Sequence, residues 1–494
     1  MNYHPIFSIA FYVWFFTYPL FCFAQTSNES SQSQLKDFHI LKNALIENES
    51  GLYLYVDSLE MANIFNDTER ELQNQKSELE LFRIFSGLIS KIKCGHTQVL
   101  PSKNIINEFF NQASTLPLEV KLVNNRLFVT RDFLQGQKIQ KNDEIISINN
   151  KCIADLLKEI HHLISSDGNN DNFKNKQIED YFLLYYFLSE NIPQSFNLVV
   201  INKDNDSLKV ILPPVFPNII DYRSKEHNNS NKQENESVFG NLKIMKSANY
   251  GVLTLPDFNK SAGRKHKKFI DDCFGKINKS GVEHLIIDLK DNYGGKNQYY
   301  LTSYLAHNEI EYGYYKTKGV GKPTYNSYLK KFNRDYLLCR LALHRNKKAY
   351  DNNKPIPIQK TSLFGRPESF KGKIYVLING NTFSAASNLA SNLKEKCNAI
   401  LIGEESGGGY KQGNTGRLRL VLPKSKLTVI INPIYYNNMP INQLQNEDGV
   451  VPHYYVKENY PIKKNADAYM KQALKLILSH PESNQSVIIH KQED

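Results

Sequence analysis

Alternation of apolar strands with amphipathic helices after residue 239 is the feature that most constrains the fold of this chain. Residues 284–289 (HLIIDL) and 373–378 (KIYVLI) are mostly apolar runs of strand length, and each precedes a segment with helical spacing of its apolar residues. A strand without a polar face is buried on both sides, which is typical of a parallel sheet covered by helices. Residues 239–470 therefore predict an α/β domain with a largely parallel sheet.

Residues 309–371 interrupt this alternation. The segment is rich in tyrosine and lysine and lacks the strand-then-helix rhythm found on either side of it. We interpret it as a lid or surface insertion in the domain formed by residues 239–470. Residues 471–494 follow that domain as a C-terminal tail.

Two smaller regions precede the α/β domain. Residues 25–112 predict a helical domain, because the apolar residues between Leu81 and Ile92 recur at intervals of three and four. Residues 113–215 contain short strands with alternating polar and apolar residues together with two helical segments, and they predict a separate β-rich domain. Residues 216–238 are strongly polar and predict a linker.

The first segment, residues 1–24, has the pattern of a signal peptide. Residues 6–23 are almost wholly apolar and aromatic, and the small residues Cys22 and Ala24 suit cleavage before Gln25. The segment lacks lysine and arginine and is long enough to span a bilayer, so an uncleaved anchor is the alternative. No later segment is as long and as apolar, and we expect no stable membrane span after signal removal. The sequence thus predicts an exported protein that is periplasmic, extracellular or associated with the cell envelope.

Charge and cysteine content argue against several classes of function. The formal net charge is +11, but the basic residues are spread along the chain rather than gathered in one block. We therefore expect no nucleic-acid partner. The cysteines after Cys22 have spacings that match neither a zinc site nor a dense disulfide framework. We expect neither a metal ion nor another cofactor.

Ser384 is the first candidate for a catalytic residue. The apolar strand 373–378 leads into a short polar turn, and an amphipathic helix begins near Phe383. A serine in the first helical turn lies where free backbone N–H groups and the helix dipole stabilise a developing oxyanion. The alternative is that Ser384 only caps the helix, which is the usual role of serine at a helix start.

Three further segments have features of an active site. Gly294 and Gly295 end the segment 288–295, where paired glycines let backbone N–H groups approach a ligand, although a plain tight turn is the alternative. His96 follows a glycine on a loop, and the pKa of histidine suits a general base. Residues 403–409 contain four glycines and predict a mobile loop at the edge of a substrate site, since they lack the ending of a phosphate-binding loop.

Five short motifs occur in an order that resembles a known family. They are residues 94–97 (CGHT), 288–295 (DLKDNYGG), 381–387 (NTFSAAS), 403–409 (GEESGGG) and 449–452 (GVVP). The series resembles the C-terminal-processing, or tail-specific, serine peptidases and the related tricorn-core peptidases. Residues 143–150 (DEIISINN) resemble a strand of the PDZ-like domain that precedes the catalytic core in that family.

The resemblance implies a fold and an activity. The fold is a multidomain α/β arrangement with an N-terminal helical segment, a PDZ-like β-rich domain and an α/β, crotonase-like ββα serine peptidase core. The activity is that of an endopeptidase acting on proteins or peptides, with exposed carboxyl tails bound by the PDZ-like domain as one mode of substrate capture. Ser384 would form the acyl-enzyme, and backbone N–H groups of Gly294 or Gly295 and of Ala385 would hold the oxyanion.

The resemblance leaves two candidates for the general base. Processing peptidases use a lysine further along the chain than the serine, and Lys411 lies near that position. Tricorn-like members use a histidine near the start, and His96 in its Gly-His-Thr setting fits this branch better. Glu447 would then orient His96, with Asp448 and Glu404 as competing acids.

Several residues depart from the family pattern. Cys94 and His453 stand where aspartate is common, and Asp291 and Tyr293 are unusual within the turn that ends in two glycines. These differences leave a second function open, in which the same scaffold binds peptides or small ligands without cleaving them.

Overall fold

A computed structural model of the chain describes residues 32–111, 115–134, 139–190, 193–216, 239–258, 263–295, 298–331, 333–410, 412–437, 448–457 and 467–479. The predicted signal segment 1–24 lies outside the described residues, as do residues 217–238 of the predicted linker. The chain divides into two compact units. Unit 1 comprises Met1–Glu234, Glu311–Ser362 and Gly407–Gly449, and unit 2 comprises Asn235–Ile310, Leu363–Ser406 and Val450–Asp494.

The N-terminal part of unit 1 is helical, as predicted. Its helices are α1 (residues 32–48), α2 (Ser58–Glu71), α3 (Glu78–Ser90) and α4 (Lys103–Asn111), and the short strand β1 (Val99–Leu100) lies between the last two. A capping box begins α3, in which the Ser77 hydroxyl accepts from the Glu80 amide and the Glu80 carboxylate accepts from the Ser77 amide. The apolar face of α3 is buried in the core of this unit, including Leu81, Phe85 and Leu88.

A β-rich domain follows within unit 1. Its elements are β2 (Leu118–Val123), β3 (Arg126–Asp132), β4 (Glu144–Ile148), β5 (Lys151–Cys152), α5 (Ile153–His161), α6 (Asp171–Ser189), β6 (Phe196–Ile201) and β7 (Ser207–Leu212). The strands pair antiparallel in the order β2-β3-β4-β6-β7, with β5 beside β4. Leu127, Ile145 and Val200 are buried on the inner face, so the polar–apolar alternation of these strands reflects one covered side.

The rest of the chain alternates between the two units. Its strands are β8 (Asn241–Met245), β9 (Tyr250–Thr254), β10 (His284–Asp288), β11 (Ile310–Thr317), β12 (Ile358–Leu363), β13 (Lys373–Ile378), β14 (Ile400–Gly403), β15 (Gln412–Thr415), β16 (Leu418–Val421), β17 (Thr428–Ile431), β18 (Ile434–Asn437) and β19 (Tyr454–Tyr455). Its helices are α7 (Arg264–Ser280), α8 (Gln298–Thr302), α9 (Arg334–Asp351), α10 (Ala385–Lys396) and α11 (Ala468–Ser479).

Unit 2 contains the predicted α/β sheet. Its order is β19-β14-β13-β10-β9-β8, and all neighbouring strands are parallel except the antiparallel pair β8 and β9. The middle residues of the central strands are apolar, and Ile286, Tyr375 and Ile402 pack against α11 in the core. Parallel order places the carboxyl ends of β10, β13 and β14 at one edge of the sheet, where ligand sites of open α/β sheets form.

Most of the segment 309–371, namely Glu311–Ser362, belongs to unit 1 and is more than a surface insertion. It contributes β11, which pairs with β18 in a four-stranded sheet of order β12-β11-β18-β15. Cys339 and Leu343 of its helix α9 are buried. The strands β16 and β17, which lie later in the chain, form a second sheet of unit 1 together with β1. The prediction of a lid missed this because strand pairing across more than a hundred residues leaves no local periodic signal.

Within the described ranges, every helix is too short or too polar to cross a membrane.

Candidate active site

Ser384 occupies the junction between β13 and α10. From Ile374 to Leu393 every residue is buried except Ser384, so its side chain is the point at which this stretch reaches solvent. Its backbone has φ 56° and ψ −119°, a conformation that non-glycine residues rarely adopt. The strained turn therefore places a partly exposed serine at the N-terminal, positive end of the helix α10.

The turn before Ser384 is tied to the turn that follows β10. Thr382 Oγ1 donates to the Leu289 carbonyl over 2.9 Å and accepts from the Asn379 amide over 3.0 Å. The amide of Phe383 donates to the Asn292 carbonyl over 3.0 Å. Because β10 and β13 are parallel neighbours, these bonds fix two turns at the same edge of the sheet.

Asp291 and two asparagines complete this connection. Asp291 Oδ1 accepts from the side-chain amides of Asn379 and Asn381, over 2.9 Å and 3.1 Å. Asn379 Oδ1 accepts in return from the Asp291 amide, over 3.1 Å. The sequence marked Asp291 only as unusual, and the structure shows that it cross-links the two turns.

Gly294 lies directly against the Ser384 turn. Its φ is 85°, and a Cβ atom there would come within 2.6 Å of both the Ala385 nitrogen and the Phe383 oxygen. It would also lie 2.9 Å from Ser384 Cβ. Only glycine allows this approach, and the structure thus places Gly294 beside Ser384 and Ala385.

The three amides predicted to hold an oxyanion are not equivalent. Gly294 N–H donates to Asn292 Oδ1 over 2.8 Å, and Asn292 Nδ2 donates to the Leu255 carbonyl over 2.8 Å. The amides of Gly295 and Ala385 donate to no acceptor among the described residues. The geometry therefore favours Gly295 and Ala385 over Gly294 as donors to a ligand; Asn292, which the sequence did not single out, occupies the Gly294 amide.

His96 lies in unit 1, in the turn where the Thr97 amide donates to the Cys94 carbonyl over 3.0 Å. Its side chain is 6% exposed. Burial, reinforced by the charge of Arg417, lowers the pKa of His96 to about 3. The imidazole is therefore neutral at physiological pH, which is the form that can accept a proton.

The remaining predicted residues are distributed over both units. Lys411 and Glu447 lie outside the described residues. Asp448 of unit 1 packs against Gly168, where an added Cβ would come 1.9 Å from Asp448 Oδ1. Glu404 of unit 2 follows β14, and its amide donates to the Ile378 carbonyl over 3.1 Å.

His453, which stands where aspartate is common, has a structural contact in unit 2. Its Nδ1 accepts from the Leu401 amide over 3.0 Å, and its own amide donates to the Leu401 carbonyl over 2.9 Å. The His453 side chain therefore adds a hydrogen bond to the main-chain pairing of residue 453 with Leu401 of β14.

Comparison with known families decides the class of this architecture. Residues 249–456 match peptidase family S41, and residues 112–212 match a PDZ domain. The chain contains an S41 peptidase domain. The protein is thus a serine-type peptidase with a PDZ domain between its N-terminal helices and its S41 domain, which confirms the fold class and the resemblance seen in the motifs.

Two solved structures of mature CPAF share this fold at low sequence identity. Mature CPAF complexed with lactacystin is 14% identical, with a TM-score of 0.63 over 91% of this chain and 97% of that chain. Mature CPAF in a second structure is 13% identical, with a TM-score of 0.63 over 91% and 98% of the two chains. A photosystem II D1 C-terminal processing protease is 13% identical, with a TM-score of 0.40 over 86% and 92%. No curated protein sequence matches this S41 chain.

Proposed function

We propose that this protein is an exported serine endopeptidase that hydrolyses peptide bonds through an acyl-enzyme on Ser384. The observation that carries the proposal is the Ser384 turn itself. A strained serine, the one incompletely buried residue between Ile374 and Leu393, lies at a helix start beside a glycine that no other residue could replace. A helix cap requires none of this strain, since cap residues adopt ordinary extended backbone angles.

The chemistry follows from the groups around the hydroxyl. Ser384 Oγ attacks the carbonyl carbon of the substrate, and its proton passes to the general base. The amides of Gly295 and Ala385 donate to the oxyanion of the tetrahedral intermediate. The intermediate expels the amine, which takes the proton from the base, and water then hydrolyses the acyl-enzyme by the same steps in reverse.

His96 is the proposed base. Its neutral state supplies a proton acceptor, but its low pKa means that the imidazolium formed during the reaction needs a nearby acid for stabilisation. Glu447 is the proposed acid, with Asp448 and Glu404 as the competing candidates. Lys411 is the alternative base.

Substrate and compartment are proposed from the sequence and the domains. A protease domain with a PDZ domain suits peptide segments as substrates, and we propose that exposed carboxyl tails are among them. Export rests on the apolar segment 6–23. The division into a helical domain 25–112, a PDZ-like domain 113–215, a linker 216–238 and a core 239–470 stays a prediction.

A fluorophosphonate probe tests the nucleophile. Protein lacking residues 1–24 should be labelled, Ser384→Ala should not, and Ser387→Ala should be labelled like wild type. Ser387 is the matched control because it lies on the same helix but is buried and hydrogen-bonded to Ser406 over 2.9 Å. Folded wild type that stays unlabelled would instead indicate a binding protein on the same scaffold.

The base is tested by the rate of the same labelling. His96→Ala should lower it by about a thousandfold or more, since the nucleophile then lacks its proton acceptor. Lys411→Ala should keep the wild-type rate. Loss of labelling in the lysine variant alone would transfer the role to Lys411.

A further inference from the structure

The residues on both sides of His96 are each tied to a buried carboxylate. Gly95, which precedes His96, contacts Asp167, and Thr97, which follows it, contacts Glu49. Both carboxylates belong to unit 1, like His96. They are 1% and 0% exposed, so neither is available to solvent.

Asp167 connects the His96 turn to a distant part of unit 1. Its Oδ1 accepts from the Gly95 amide over 2.7 Å, and its Oδ2 accepts from the Gly409 amide over 2.9 Å. The residues next to Asp167 reinforce the contact. Ser165 Oγ donates to the Cys94 carbonyl over 2.8 Å, and the Gly168 amide donates to the Lys93 carbonyl over 2.9 Å. Asp167 thus uses both of its oxygens to hold main-chain N–H groups.

Glu49 lies just beyond the end of α1 and accepts hydrogen bonds from three segments of the chain. Its Oε2 accepts from the Asn432 amide over 2.9 Å, and its Oε1 accepts from Asn414 Nδ2 over 2.5 Å and from the Gly51 amide over 3.2 Å. The Thr97 side chain is also hydrogen-bonded to this carboxylate. Thr97 Oγ1 lies 3.2 Å from the side-chain nitrogens of both Asn414 and Asn432.

Keeping two carboxylates in this interior is unfavourable for folding. Burial raises the pKa of Glu49 to about 7, and burial together with the charge of Asp448 raises the pKa of Asp167 to about 6. Two such groups on either side of one histidine indicate a role in the position of that histidine.

We propose that Asp167 and Glu49 are positioning residues that fix the main chain on both sides of His96 and so hold its imidazole in the orientation for proton transfer. The proposal rests on the proposed role of His96 as general base. Neither carboxylate touches the substrate. Their effect passes through the backbone of Gly95 and through the side chain of Thr97.

Amide variants test the pair. In Asp167→Asn one carboxylate oxygen is replaced by an NH2 group, which then faces a main-chain N–H group that needs an acceptor. In Glu49→Gln the new NH2 group likewise faces the main-chain N–H of Asn432. Misplacement of a catalytic group by about 1 Å lowers rates by about a hundredfold, so we expect each variant to lower the rate constant of fluorophosphonate labelling at pH 8 by at least about tenfold. The probe reports acylation alone, so an effect on substrate binding to the PDZ domain does not enter.

Asp37→Asn is the matched control. Asp37 is a fully buried carboxylate of the same unit that likewise holds main-chain amides, those of Lys424 and Ser425, over 3.0 Å and 2.7 Å. Among the described residues, its hydrogen bonds go to residues 424 and 425 and not to the His96 turn. We expect Asp37→Asn to lose stability like the other two variants and to label at the wild-type rate.

The pH profile provides a readout that a purely structural role would not move. Wild-type labelling should fall as the pH decreases through about 7 and 6, because a protonated carboxyl group has lost one acceptor. The double variant should be slow and independent of pH in this range, and Asp37→Asn should keep the wild-type profile. His96 does not titrate in this range, since its pKa is about 3.

Titratable groups on several elements of unit 1 face the pair. Asp167 is faced by Asp448, Tyr55, Tyr436 and Cys94, and Glu49 by Lys318, Tyr325 and Cys94. Burial raises the pKa of both tyrosines beside Asp167, of Tyr325 and of Cys94, so these four stay neutral. The charges of Asp448 and Lys318 shift the pH at which the labelling rate falls, but they do not remove the fall.

The outcomes separate this proposal from the one on which it rests. If His96→Ala labels at the wild-type rate, the base assignment is wrong and the positioning role falls with it. If His96→Ala loses labelling while Asp167→Asn and Glu49→Gln keep the wild-type rate and pH profile, the positioning role alone is overturned. Should Asp167→Asn fail to fold, Thr97→Val decides, because it removes the hydroxyl between Glu49 and the two asparagines at nearly constant volume.

Discussion

The backbone of Ser384 stores strain at a single residue. With φ 56° and ψ −119° it lies outside the regions open to residues with a Cβ atom, at a cost of about 1–3 kcal/mol. The surrounding bonds outweigh this cost: the Phe383 amide is fixed by Asn292, and the Asn388 amide donates to the Ser384 carbonyl over 2.9 Å. Strain at the one incompletely buried residue of this stretch supports a role in reactivity rather than in stability.

Replacing Ser384 separates strain from chemistry. Ser384→Ala keeps the Cβ atom and the strain, whereas Ser384→Gly relieves it and adds only the entropy cost of a glycine. We expect the glycine variant to be more stable than the alanine variant by about 1 kcal/mol, while neither is labelled by fluorophosphonate. Urea unfolding of the two variants measures the difference. Equal stability, or a more stable alanine variant, would show that the turn is not strained.

At the scale of elements, the sheet edge that carries Ser384 depends on two parallel strands that end together. The apolar runs of β10 and β13 made a parallel sheet predictable from the sequence, and the glycines and the serine that follow them could be placed at its edge. Asn292, Asp291, Glu49 and Asp167 could not be assigned in this way. Their partners lie far along the chain, as with Asp167 and Gly409 or Glu49 and Asn432, and such contacts depend on tertiary packing rather than on local spacing.

Gly294→Ala tests the contact between the two turns. The new Cβ would meet main-chain atoms of Phe383 and Ala385 at 2.6 Å, and backbone in this position cannot move aside. We expect a loss of at least about 2 kcal/mol of unfolding free energy together with loss of labelling.

Gly275→Ala in α7 is the control, because nothing lies within 4 Å of its added Cβ. That variant should gain about 0.5–1 kcal/mol and keep full labelling, as expected for alanine in a helix. Equal effects of the two substitutions would rule out the close approach.

At the scale of the whole molecule, three buried ionisable side chains make the free energy of unfolding depend on pH. Two of them act in one direction and the third in the opposite direction. The folded-state pKa of Glu49, about 7, lies above its ordinary value, and so does that of Asp167. Their favourable contributions are complete at low pH and are lost as the pH rises through about 6 and 7. The pKa of His96 is lowered instead, so its contribution is present above the ordinary histidine pKa and is lost as the pH falls towards 3.

Glu49→Gln isolates one of these contributions. The variant cannot take up a proton at this position, whereas wild type binds one on folding wherever the pH lies between the unfolded and folded pKa values of Glu49. The difference in unfolding free energy, wild type minus variant, should therefore increase as the pH is lowered from 8 to 5, by up to about 3 kcal/mol. His96 and Asp167 are present in both proteins, so their titrations largely cancel.

Urea unfolding at half-unit pH intervals measures the difference. A difference that stays constant over this range would mean that Glu49 keeps its charge in the folded protein, stabilised by its donors from Gly51, Asn414 and Asn432.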